Sequence, residues 1–188
     1  TEGTEGTEGT EGTEGTEGTE GSRQPLSLLS AKGGAIAVDR SHGELQGCTF
    51  QHIVTTTGGA VSVQSQGTVR VEESLFHACG GSEGAALYME DSNVVVQSST
   101  FTGNKAVYDG GAIRVFRSTL LLHRTTIAHN QAGSSGGGLS LSLDATLTMT
   151  HSLVHANRAW LGGGISMGRN SNAVFEDDTF KNNYARTG

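Results

Sequence analysis

From residue 33 onward, apolar and polar side chains alternate in short bursts that return at a fixed interval. Ile36/Val38, Val61/Val63, Leu87/Met89, Ile113/Val115, Leu139/Leu141 and Ile165/Met167 form one series. Val69/Val71, Val94/Val96, Leu120/Leu122, Leu147/Met149 and Ala173/Phe175 form a second. A third burst carries Phe50, Phe76, Phe101, Ile127, Val154 or Phe180. A period of two sets one face of a strand against a core, and no segment carries the 3.6-residue period of a helix. The bursts keep step with glycine-led segments at Gly33, Gly58, Gly84, Gly110, Gly136 and Gly162, spaced by 25, 26, 26, 26 and 26 residues. Three short strands per 25–26 residues, repeated in register, predict an all-β chain: a parallel β-solenoid of about six coils.

Stacking accounts for the residue choices. Coils lie about 4.8 Å apart, so equivalent positions form columns. Ile36, Val61, Leu87, Ile113, Leu139 and Ile165 then make one buried column, and the Phe series makes another. Asn104, Asn130, Asn157 and Asn183 follow the third burst at a constant offset. Stacked amides hydrogen-bond up and down such a column, so these four are expected to be a structural ladder. Asn also tolerates the left-handed backbone of a sharp corner, and Gly-Gly pairs suit a corner with positive φ and no room for a Cβ.

The paired tetrapeptides Gly110-Gly-Ala-Ile113 and Phe101-Thr-Gly-Asn104 resemble the repeats of the chlamydial polymorphic outer membrane proteins, and the resemblance runs over residues 33–188. It implies a right-handed, single-stranded, pectin-lyase-like parallel β-helix. It also implies display at a cell surface, outer-membrane association and a role in adhesion, with the two tetrapeptides as the adhesive positions. Ile53 and Cys79 stand where that pattern has Asn, and residues 1–22 have no counterpart in it.

Composition divides the chain. Residues 1–21 are seven Thr-Glu-Gly triplets holding seven of the 19 acidic residues, which leaves 12 acidic against 12 basic for the remainder. The net charge of −7 therefore belongs to the leader. With no apolar residue and no proline, residues 1–22 are expected to be disordered, ahead of a β-helix over 23–188. A balanced remainder offers no basic field, which argues against nucleic acid, and no apolar run is long enough for a transmembrane helix. Pro25–Ala31 reads as the tail of an earlier coil and Gly188 as the start of a later one, so the β-helix is expected to be part of a longer array.

Candidate chemistry is sparse. Cys48 and Cys79 fall in different columns about five residues apart, too far for a disulfide. His77 and His155 share a position but are three coils apart, and His129 and His155 are offset, so no metal and no cofactor is expected. Enzymes of the pectin-lyase-like group place several carboxylates on one outward strand face, often with a Lys or Arg nearby; here the acidic positions are dispersed, and the candidate for catalysis is a column that stacks a cation, an imidazole and an acid, Arg124, His151 and Asp177. The stronger expectation is a non-catalytic binding face. Tyr88 and Arg114 point outward from the first strand of their coils, Phe116 ends that strand, and Tyr108 and Trp160 sit in the corner before it. Rings beside a guanidinium on one flat surface suit a glycan or a surface protein. Extracellular or cell-surface adhesion is thus expected first, a polysaccharide lyase or glycoside hydrolase second, and a spacer rod third.

Overall fold

The computed structural model describes residues 34–187. The expectations for the leader (1–22), for Pro25–Ala31, for Gly33 and for Gly188 lie outside the described residues. Among those described there is no helix, and none long and apolar enough to cross a membrane. All pairing is parallel, in four sheets of six, six, six and five strands. The first sheet comprises Ile36–Asp39, Val61–Gln64, Leu87–Glu90, Ile113–Phe116, Leu139–Ser142 and Ile165–Met167. The second comprises His42–Gln46, Thr68–Glu72, Asn93–Gln97, Thr119–His123, Thr146–Thr150 and Asn172–Glu176. Three-residue strands build the third: Thr49–Gln51, Leu75–His77, Thr100–Thr102, Thr126–Ala128, Leu153–His155 and Thr179–Lys181.

Five of the six coils carry a fourth strand that the alternation does not announce, and in the first coil Val54 alone bridges to Gly80. The fourth sheet joins Gly80–Gly81, Lys105–Ala106, Gln131–Ala132, Arg158–Leu161 and Tyr184–Thr187. Most of these strands are two residues long, too short to show a period of two. Their inward position is small, Gly81, Ala106, Ala132, Ala159 and Ala185, because here the wall runs close to the core.

The register matches the apolar columns: Ile36, Val61, Leu87, Ile113, Leu139 and Ile165 are successive partners. One continuous core runs along the axis. Phe50, Phe76 and Phe101 stack with centroids 4.7 and 4.5 Å apart and planes within 12° and 5°. Each such ring buries a large apolar area, so this column anchors the third sheet.

The corners follow a common rule, and here the expectation for Asn needs correction. The left-handed residue of the third corner is not the Asn but the one before it: Gly103 (φ 67°), His129 (57°), Ala156 (53°) and Asn182 (54°). The Asn side chain instead turns inward. Asn130 Oδ1 accepts the Asn104 backbone N–H at 2.9 Å and its Nδ2–H at 3.0 Å; Asn157 and Asn183 repeat this one coil on. The other Nδ2 hydrogens go to the Phe76, Phe101, Ile127 and Val154 carbonyls. Both donors and both acceptor sites of Asn130 and Asn157 are thereby used.

The second corner repeats the device with hydroxyls. Glu73, Ser98, Arg124, His151 and Asp177 are left-handed, and Ser74, Ser99, Thr125, Ser152 and Asp178 follow them. Ser74 Oγ accepts the Cys48 N–H, Ser99 Oγ the Ser74 N–H, Ser152 Oγ the Thr125 N–H, and Asp178 Oδ1 the Ser152 N–H, at 2.7–3.1 Å. Ser118 does the same for Ser92 at the first corner. In the turn before the first sheet, Gly58, Gly84, Gly110, Gly136 and Gly162 have positive φ, as expected. In four of these turns a second glycine follows, and it has no room for a side chain: a Cβ on Gly59 would meet the Gly84 carbonyl oxygen, whereas Ala85 follows Gly84.

These assignments separate two neighbouring residues. Asn130→Ala leaves buried partners without a hydrogen bond and is expected to cost about 1–3 kcal/mol in urea unfolding. His129→Gly relieves a left-handed side chain and is expected to change stability by less than about 1 kcal/mol.

Candidate functional site

The outer face of the first sheet is built on the pair Tyr88 and Arg114, which are register partners. Arg114 points outward, as expected, yet it is only 8% exposed. The turns before the first sheet fold down over it; a Cβ on Gly84 would lie 2.7 Å from that of Arg114. Its Nε donates to Glu83 Oε2 at 3.3 Å, its Nη1 to Ser140 Oγ at 2.7 Å, and its Nη2 lies 3.8 Å from Asp109 Oδ2. Asp109 in turn accepts the Ser135 N–H at 3.0 Å. Arg114 is therefore a clamp that fixes the turns, and the expectation of a guanidinium offered to a ligand is corrected.

What the clamp leaves open is a groove beside it. Its volume is about 480 Å³, and Thr56, Thr57, Ser62, Gln64, Glu83 and Tyr88 line it. Tyr88 Oη donates to Glu90 Oε2 at 3.2 Å. Partial burial, with the Glu90 and Glu83 carboxylates nearby, pushes its phenol up to about 12. Phe116 lies under the Arg117 guanidinium, 4.2 Å from its carbon to the ring centroid, with Arg114 at 5.9 Å. Arg117 also pairs with Asp91 and Glu90, which holds the Asp91 carboxyl below the usual carboxylate range.

Tyr108 and Trp160 belong elsewhere, so the single aromatic surface expected from the sequence divides in two. Trp160 lies in a strand of the fourth sheet, and Tyr108 lies in the turn that follows that sheet two coils earlier. They are not in line either. Gln131 pairs with Arg158, 27 residues on, so the Leu161 N–H rather than Trp160 continues the Tyr108–Ser134 column.

Arg124, His151 and Asp177 do form one column, in the left-handed positions of the second corner. His151 Nε2 stands 3.5 Å from Asp177 Oδ2, with side chains 51% and 70% exposed. His123 approaches the same corner, its ring 5.6 Å from that of His151 and its Nδ1 2.8 Å from Thr150 Oγ1. The His129 and His155 rings are 5.0 Å apart despite their offset. Among the described residues no three His, Cys, Asp or Glu gather as for a metal ion. Cys48 and Cys79 are free and buried. Cys79 occupies the Asn column, its thiol directed at the Phe50 carbonyl at 3.6 Å, and burial raises its pKa.

The Tyr88 environment has a measurable consequence. In the native state the phenol keeps its proton between about 10 and 12, a range in which the unfolded chain has lost it. Stability due to this group is complete below pH 10 and falls as pH climbs through that window. Absorbance titration at 295 nm is expected to show one phenol near 12, lost in Tyr88→Phe and lowered in Glu90→Gln; a titration without that step contradicts the environment described.

Comparison with curated proteins and with solved structures returns no significant match. The right-handed beta helix region pattern, by contrast, matches residues 28–187. With four parallel sheets, one axial core and register partners one coil apart, the chain belongs to the right-handed β-helix family.

Proposed function

We propose that this β-helix is a non-catalytic, extracellular or cell-surface module that holds a preformed face toward a glycan or surface-protein partner, an adhesin-like role of the kind carried by the polymorphic outer membrane protein repeats it resembles. The observation that carries this reading is the first-sheet groove. Hydroxyls, an amide and one aromatic ring converge there on a rigid sheet, the composition that orients sugars or peptide groups. Its lining carboxylate, Glu83, is tied to Arg114, and the groove contains no histidine.

The second reading is a polysaccharide lyase or glycoside hydrolase using Arg124, His151 and Asp177. Their column gives it some support, since an imidazole and a carboxylate 3.5 Å apart form an acid–base pair. The exposure of that corner weighs against it, because water screens the charges that such a site must concentrate. A spacer rod, the third reading, needs no groove at all.

Beads coated with the domain are the direct assay. Tyr88→Ala combined with Ser62→Trp removes the ring and fills the groove; retention on host cells or a glycan array is expected to fall at least tenfold with an unchanged thermal midpoint. Undiminished retention contradicts the groove as the binding site. Release of unsaturated or reducing ends from uronate polymers, abolished by Asp177→Asn, would transfer the reading to the enzyme.

A further inference from the structure

Charge is unevenly distributed on the outer face of the fourth sheet. Its strands hold Lys105, Arg158 and Arg186 and no Asp or Glu. Two carboxylates, Glu83 and Asp109, lie in the turns that lead from this sheet to the first, and both face Arg114 at 3.3 and 3.8 Å. Ion pairs among the described residues involve Arg40, Arg70, Arg114, Arg117 and His151, but none of the three cations of this face. Two of these cations lie on rings instead: Arg186 is 4.7 Å from the Trp160 centroid and Arg158 is 5.0 Å from that of Tyr184. Both rings are about half exposed, at 47% and 53%. The domain thus spends its nearby acids on Arg114 and leaves a cationic, aromatic strip facing solvent.

We propose that this strip binds a linear sulfated polysaccharide lying along the solenoid axis. Lys105 and Arg158 share one column two coils apart, and Arg186 stands one coil further and two residues along its strand, level with Trp160, so the cations form an oblique strip that runs about 14 Å along the axis. That arrangement fits a polymer rather than a compact ion. A guanidinium presents paired N–H donors to tetrahedral oxyanions, and its stacking on a ring holds it ready. With few cations available, the gain from counterion release grows with the charge density of the ligand, which favours sulfated chains over those with one carboxylate per sugar. Nucleic acid is a poorer fit, because bases need open ring faces and each ring here carries a guanidinium. A depression of about 430 Å³ between Val54, Gly80, Lys105 and Val107 continues the strip toward the N-terminal coils. This site lies on a different sheet from the first-sheet groove and goes beyond the adhesion reading, so either can fail without the other.

Trp160 is the single tryptophan of the chain, and its emission reports on this face directly. Titrating the full chain with a heparin decasaccharide is expected to give a saturable change in emission. The affinity should fall roughly twenty- to fortyfold between 50 and 200 mM salt, as for about three neutralised charges. The variant Lys105→Gln/Arg158→Gln/Arg186→Gln is expected to bind at least tenfold more weakly. Arg40→Gln/Arg70→Gln/Arg169→Gln, which removes as much charge from other surfaces, is expected to bind as the parent does. The proposal is overturned by unchanged binding in the first variant or by an equal loss in the second. Equally tight binding of polygalacturonate or of single-stranded DNA overturns it as well.

Discussion

A coil of this solenoid closes only where its chain bends sharply from one sheet to the next, and each bend buries a backbone N–H that the regular ladder does not serve. An unsatisfied buried donor costs about 1–3 kcal/mol, and the debt recurs in every coil. The domain meets it with one device. A residue in the left-handed region makes the turn, and the polar side chain after it accepts the N–H of the coil before. Asn does this at the third corner, and Ser or Asp at the second. Sheet register and the stacked Phe column depend on these corners, because a one-residue slip anywhere would point the apolar set outward.

The same device determines where chemistry appears on the surface. A left-handed residue points away from the core and is free to be charged, so Arg117, Arg124, His151 and Asp177 all occupy corners. The Arg124–His151–Asp177 column is a consequence of coil geometry before it is a candidate for anything else. The faces between corners differ from one another. On the first sheet Arg114 is sealed under the turns and leaves a polar groove next to Tyr88. On the fourth sheet, cations stand on rings with no acid of their own.

Much of this was legible from residues alone, for reasons that also explain what was not. The period, the apolar columns and the Asn ladder rest on positions that keep one identity from coil to coil. The hydroxyl ladder escapes notice because its column reads Cys48, Ser74, Ser99, Thr125, Ser152, Asp178, a mixture that shares only an acceptor atom after the first coil. The fourth strands are too short to alternate. The burial of Arg114 depends on how far the turn around Gly84 and Asp109 folds over the sheet, which no linear pattern encodes. The separation of Trp160 from Tyr108 hinges on a single extra residue between Gln131 and Arg158, and coil counting at 26 residues passes over it.

Hydrogen exchange at the corners tests this account most directly. The backbone N–H of Cys79, Asn104 and Asn130 and the side-chain amide protons of Asn104, Asn130 and Asn157 all donate to partners inside the stack. If the corner acceptors hold the coils closed, these protons exchange only through global unfolding, as slowly as the amides of Leu120 or Val96 in the second sheet. Exchange of the corner protons at rates typical of exposed amides, while the sheet amides stay protected, would contradict it.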